Sequence, residues 1–200
     1  MPKPKRLLDQ KIRSVLRKSI LRRRVDTALV LDEVGLLHGE TRIDLLVASR
    51  YLHGYEIKGE TDDLGRLPDQ AEVYSRVCDR VSIVLTRNHL ERASKLVPGW
   101  WGITVAETGP RAVRLVPHRK AVRNPSPDIL ALSMLLWRAE AYEYLESIGA
   151  SEGLSGKPRS DLYERIAQRG SFPEIRKRVI ERFRKRWDWA GKHLKKVTAS

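Results

Sequence analysis

With 200 residues, 41% of them hydrophobic and 32% charged, the chain has the size and balance of a folded domain with a small appendage, which excludes a disordered or fibrous protein. The longest near-continuous apolar stretch, Ile129 to Trp137, is too short to span a bilayer, so no membrane partner is expected. The net charge of +14 is segregated: residues 1–24 hold ten Lys/Arg against Asp9 alone, residues 157–200 hold fourteen against five acids, and 25–156 hold fifteen against nineteen. Basic flanks around an acidic centre suit a protein that grips a polyanion while collecting carboxylates at one point. A single cysteine, Cys78, rules out a disulfide framework and a Cys-based zinc cluster. The basic first thirty residues lack a signal-peptide core, so the expected location is cytoplasmic.

In chain order, Leu8, Ile12, Val15, Leu16 and Ile20 recur at helical spacing and predict an amphipathic basic helix over 5–22. A short apolar run near 27–33 predicts a buried strand ending at Asp32-Glu33. Residues 42–48 alternate, with Ile43, Leu45 and Val47 on one face and Asp44 and Leu46 on the other. Tyr55-Glu56-Ile57-Lys58, near 54–59, predicts the returning strand of a hairpin. Helical spacing follows over 66–78, then a β-branched strand over 80–86, a short helix around 88–96, and two strands over 101–107 and 111–116. From Ser126-Pro127 the pattern is helical: 129–147, 159–169, and a last basic helix opened by the capping-box spacing of Ser171 and Glu174. The expected organisation is a core over 1–120 and a basic helical region over 121–200. Trp100 and Trp101 read as packed against helices, and Trp137, Trp187 and Trp189 as core of the C-terminal helices. The five histidines have no metal-ligand spacing, and no phosphate-binding glycine loop is present.

The chemistry centres on Asp44, followed twelve residues later by Glu56-Ile57-Lys58. In a strand Glu56 and Lys58 share a face, and a hairpin over 42–58 brings Asp44 to them. Two neighbouring carboxylates repel unless a hard divalent cation relieves them, and the Ile57 carbonyl can add an oxygen. The Lys58 ammonium beside them can orient water or neutralise charge developing on phosphate. Gln70 and Tyr74, four apart, lie one above the other on a helix. Arg66, one turn earlier, can meet a phosphate or pair with Asp62 or Asp63, and Glu60 shares the strand face if that strand continues. In the last helix Lys177, Arg178, Arg182, Arg184 and Lys185 can contact phosphates, either as a helical cap or as a helix-turn-helix-like reader.

With these motifs in this order, the sequence resembles the PD-(D/E)xK nuclease superfamily, the restriction-endonuclease-like fold. Gln70-Ala71-Glu72-Val73-Tyr74 looks like the Q-x-x-x-Y motif of its RecB-type branch. The stretch Tyr55–Tyr74 is similar to that of small bacterial and phage nuclease-like proteins. The resemblance covers roughly residues 5–90, and Ile43 stands where many members have proline. It implies an α/β fold with an αβββαβ core and mixed sheet, here extended by three C-terminal helices. It also implies a metal-dependent deoxyribonuclease: Asp44, Glu56, the Ile57 carbonyl and Glu33 holding Mg²⁺ (or Mn²⁺), Lys58 assisting the water, and Gln70 and Tyr74 completing the site. The implied partner is single- or double-stranded DNA, and a homodimer would allow cuts in both strands. The alternative is a catalytically inactive nucleic-acid-binding protein on the same fold.

Overall fold

The computed structural model describes residues 9–23, 28–109 and 112–197, with side chains at 23 and 188–197 left out. Lys5 to Leu8, Thr27, Arg111 and the side chains of Trp189 and His193 therefore lie outside the described residues. The protein is α/β, and its chain divides into two compact units between Ser126 and Pro127.

The first unit runs α1 (Asp9–Arg23), β1 (Leu29–Leu36), β2 (Thr41–Ala48), β3 (Leu52–Lys58), α2 (Leu67–Val77), β4 (Arg80–Thr86), α3 (Leu90–Leu96), β5 (Gly102–Thr108) and β6 (Val113–Arg119). The opening order is the αβββαβ read from periodicity. The six strands of the described residues form one mixed sheet in sequence order. β1, β2 and β3 are antiparallel, β3, β4 and β5 are parallel through the α2 and α3 crossovers, and β6 returns antiparallel.

Helix α1 lays Ile12, Leu16 and Ile20 on one sheet face, burying them with Val30, Leu45, Val47, Ile57, Val84 and Ala106. Helix α2 covers the other face with Leu67, Val73, Tyr74 and Val77. Trp101 is fully buried and donates from Nε1 to Ser75 Oγ of α2 (3.3 Å), so it packs as expected.

The expected alternation along β2 breaks at Asp44. Leu45 and Val47 face α1, whereas the Ile43 side chain reaches Gly54 and lies by Cys78 on the other face. The partner irregularity is Glu33, opposite Asp44 between the Asp32–Leu45 and Val34–Ile43 pairs, with φ of 53°. β1 does not end at Glu33; it runs on to Leu36.

The first unit extends past residue 120 because Asn124 is tied to the end of α2. Its buried amide donates to Ser75 O (2.6 Å) and Cys78 O (2.8 Å), and its N–H donates to Asp79 O (2.8 Å).

Among its described residues the second unit holds four helices rather than three: α4 (Ile129–Ser133), α5 (Arg138–Ser147), α6 (Arg159–Arg169) and α7 (Phe172–Val197). Asp128, not Ser126-Pro127, opens α4; its carboxylate accepts from Leu130 N (2.8 Å) and Ala131 N (3.3 Å). The single helix expected over 129–147 is broken at Met134–Trp137. There the chain turns extended at Trp137, whose N–H is taken by Glu140 Oε2 (2.8 Å) to start α5. Trp137 is 63% exposed, its ring covered by the Arg186 guanidinium 4.2 Å from the centroid, and Trp187 is 47% exposed, so neither is core. At α7 the Ser171 N–H donates to Glu174 Oε2 (3.2 Å), one half of the expected box. Among the described residues no helix is long and apolar enough to cross a membrane.

Candidate active site

The β2–β3 ladder is regular from Ala48–Leu52 to Leu45–Tyr55 and then opens. Past that point the Ile57 N–H donates to Asp44 Oδ2 (2.6 Å) in place of a ladder carbonyl. The separation of strands makes the floor of a cleft of about 580 Å³, lined by Asp44, Glu56, Ile57 and Lys58 with Glu33, Arg66 and Gln70. Ile57 keeps its side chain in the α1 core, so it is the backbone that faces the cleft.

Glu56 and Lys58 are almost fully buried and paired, Oε1 to Nζ 2.8 Å. α2 supplies the rest of the network. Lys58 Nζ donates to Gln70 Oε1 (3.1 Å), Gln70 Nε2 lies 3.4 Å from the Tyr74 hydroxyl, and that hydroxyl lies 2.8 Å from Glu56 Oε2. The four side chains close a ring in which each orients the next. The same hydroxyl is 2.8 Å from Arg42 O, tying β2 into the arrangement. Burial, with the Glu56 charge beside it, holds the Tyr74 phenol well above its ordinary range, so it stays protonated as a donor. Asp44 is pushed up to about 7, first by burial and then by the charge of Glu56, against the opposing Ile57 N–H and Arg13.

Bacteriophage P4 protein cII describes the family that matches residues 5–199 of this sequence. The chain belongs to that family. Protein cII of Enterobacteria phage P4 is 26% identical over 161 residues, covering 80% of this chain and 60% of that protein, so the chain spans about three fifths of its curated relative. Among solved structures, the SPO1766 protein of unknown function from Silicibacter pomeroyi aligns with a TM-score of 0.41 and 16% identity, over 75% of this chain and 97% of that one.

In this cII-family chain, Asp44, Glu56, Ile57, Lys58, Gln70, Arg66 and Glu33 all line one cleft, with Tyr74 directly behind Glu56. Glu33 enters from mid-strand rather than from a strand end. Glu60 does not join them: β3 stops at Lys58, and Glu60 is exposed in the following turn, where its carbonyl accepts from Asn88. Asp62 and Asp63 do line the cleft while they close that turn, accepting from Gly59 N (2.6 Å) and Gly65 N (2.8 Å).

The basic set of α7 splits. Lys177, Arg184 and Lys185 are exposed, but Arg182 is buried and pairs with Glu143 at 2.5 Å, and Arg178 reaches the same carboxylate at 3.4 Å. Arg182 and Arg178 thus both cross-link helices of the second unit through Glu143.

Sequence reasoning missed Arg13 on α1. Its NH2 lies 2.7 Å from Asp44 Oδ1 and 2.8 Å from Glu33 Oε1, and its NH1 donates to Asp44 O (2.8 Å). The available signal was Asp9, the lone acid among the first 24 residues and one helical turn before Arg13.

As a donor set for a hard divalent cation, two facing carboxylates, a backbone edge and Glu33 opposite Asp44 are chemically apt, and the mutual charge of Asp44 and Glu56 favours a cation between them. Their oxygens are engaged by protein donors: Arg13 and Ile57 N–H on Asp44, Lys58 and Tyr74 on Glu56. Among the described residues no three His, Cys, Asp or Glu side chains stand in ready-made ligand geometry.

Proposed function

We propose that this chain is a metal-dependent nuclease that hydrolyses DNA phosphodiester bonds. The observation that carries the reading is the meeting of Asp44, Glu56, Lys58 and Gln70 in one cleft from two strands and a helix. Asp44, Glu56 and the Ile57 carbonyl, with Glu33, would hold Mg²⁺ or Mn²⁺. The ion, when bound, supplies positive charge for the scissile phosphate and acidifies water. Lys58, oriented by Glu56 and Gln70, places its ammonium where negative charge grows on phosphate. Arg66, exposed at the cleft, meets a neighbouring phosphate of the strand. Cytoplasmic DNA is the substrate this reading implies, and a homodimer would serve cuts in both strands.

A second reading has its own support. The oxygens of Asp44 and Glu56 are engaged by protein donors, as they would be in a nucleic-acid-binding protein that keeps the site for architecture.

The deciding experiment is cleavage of labelled single- and double-stranded DNA with Mg²⁺, Mn²⁺ or EDTA. Wild type is compared with Lys58→Ala and with Glu56→Gln, which keeps hydrogen bonds to Tyr74 and Lys58 without the charge. Metal-dependent cutting lost in both variants, with circular dichroism unchanged, is the expected result. Cutting that survives both variants refutes the assignment. Salt-sensitive DNA binding without cutting by wild type hands the site to the second reading.

A further inference from the structure

One nitrogen of Arg13 carries an unusual load. NH2 stands 2.7 Å from Asp44 Oδ1, 2.8 Å from Glu33 Oε1 and 3.5 Å from Asp9 Oδ2. A terminal guanidinium nitrogen has two hydrogens, so three carboxylate oxygens cannot all be satisfied by it. The position is over-supplied with negative charge, and what occupies it is a flexible side chain. The helix that bears it is fixed: Ile12 and Leu16, on either side, are buried against β2 and β3. The Arg13 side chain is 20% exposed and meets the cleft only through Asp44, Glu33 and Asp9, so its stem can turn outward while α1 stays in place.

We propose that Arg13 is a resident counter-cation of the site, a positioning residue that exchanges with a divalent ion. Without an ion it stands against Asp44 and Glu33 and holds the Asp44 carboxyl group toward Ile57 N–H. When a divalent ion takes those carboxylates the guanidinium is released into the cleft, where a phosphodiester is its natural next partner. The inference rests on the nuclease reading for the ion's presence, and it accounts for the guanidinium that covers Asp44 and Glu33. It assigns to one side chain both the exclusion of adventitious cations and the delivery of positive charge to substrate.

The test is Mn²⁺ affinity by calorimetry for wild type, Arg13→Ala, Arg13→Gln and Lys11→Ala. Lys11 is exposed on the same helix, so its variant reports the general loss of one positive charge. Arg13→Gln retains hydrogen-bonding capacity beside Asp44 and guards against a folding defect in Arg13→Ala. The expected result is Mn²⁺ binding at least tenfold tighter in both Arg13 variants, and within twofold of wild type in Lys11→Ala. DNA binding measured in Ca²⁺ should weaken in the Arg13 variants, with the salt dependence falling by about one phosphate contact. Mn²⁺ binding that is unchanged or weaker in both Arg13 variants would make Arg13 a scaffold for Asp44 and overturn the exchange, leaving the nuclease reading intact. Tighter Mn²⁺ with no change in DNA binding would refute the delivery half. No Mn²⁺ binding by any of the four proteins defeats the nuclease reading and this inference together.

Discussion

Asp44→Asn removes a carboxyl group whose charge the fold disfavours. The Asp44 carboxyl, ordinarily near 3.8, stands at about 7 in the fold because it is buried and faces Glu56. Between about pH 4 and 7 the folded chain therefore keeps a proton that the unfolded chain has released. The stability tied to that proton is fully present below pH 4 and is lost as pH rises through 7. The gap between 3.8 and about 7 corresponds to about 4 kcal/mol at pH 8. Asp44→Asn cannot titrate, so wild-type stability minus variant stability should fall by about that amount from pH 4 to pH 8. A pH-independent offset is superimposed, since the amide has one acceptor oxygen and must forgo either Arg13 or the Ile57 N–H. The assay is urea denaturation followed by tryptophan fluorescence in EDTA at half-unit pH steps, and the quantity read is the slope of that difference. A difference constant to within about 1 kcal/mol across the range refutes the reasoning about Asp44. If the cleft takes Mg²⁺, the ion at about a hundred times its Kd returns about 2.7 kcal/mol to wild type at pH 8 and little to the variant.

Gly54→Ala places a Cβ 2.3 Å from Ile43 Cδ1 and 3.1 Å from Cys78 Sγ, so urea unfolding should show a loss of about 1–3 kcal/mol. Ile43→Val, which deletes that Cδ1, should restore part of it in the double variant, and additive losses would show that the clash is elsewhere. Tyr74→Phe removes the hydroxyl from Glu56 Oε2 and should cost about 1–3 kcal/mol by the same measurement. Asn124→Ala leaves the Ser75 and Cys78 carbonyls without their amide donor and should lower stability by about 1–3 kcal/mol. Amide hydrogen exchange in that variant should accelerate first at the C-terminal turn of α2; uniform acceleration would contradict a local tie.

The residues of the cleft that were legible beforehand are those whose geometry follows from a local period. Glu56 and Lys58 share a strand face by alternation, and Gln70 and Tyr74 share a helix face by the four-residue repeat. The hairpin register runs as far as Leu45–Tyr55, which leaves Asp44 and Glu56 as the next residues of their strands. Where a local rule was broken without a marker residue, the reading failed. The helix expected through Met134–Trp137 has no Gly or Pro to announce its break, which depends on Glu140 capturing the Trp137 N–H. The basic stripe of α7 could not reveal that Arg182 turns inward to Glu143, because a charge pattern on one helix says nothing about the helix beside it.

Periodicity in the sequence by itself determined the helix and strand order of the first unit, since that depends on neighbours a few residues away, while the Asp44, Glu56, Lys58 and Gln70 set was named by alternation together with the nuclease resemblance. Tertiary structure alone decided that the β1–β2 ladder is interrupted at Glu33 and Asp44, that the first unit continues to Ser126, and that Arg13 stands on the Asp44 carboxyl group. Arg13 and Asp44 are thirty-one positions apart on different elements, and what joins them is the burial of Ile12 and Leu16 against the sheet, a long-range packing outcome that no local pattern encodes.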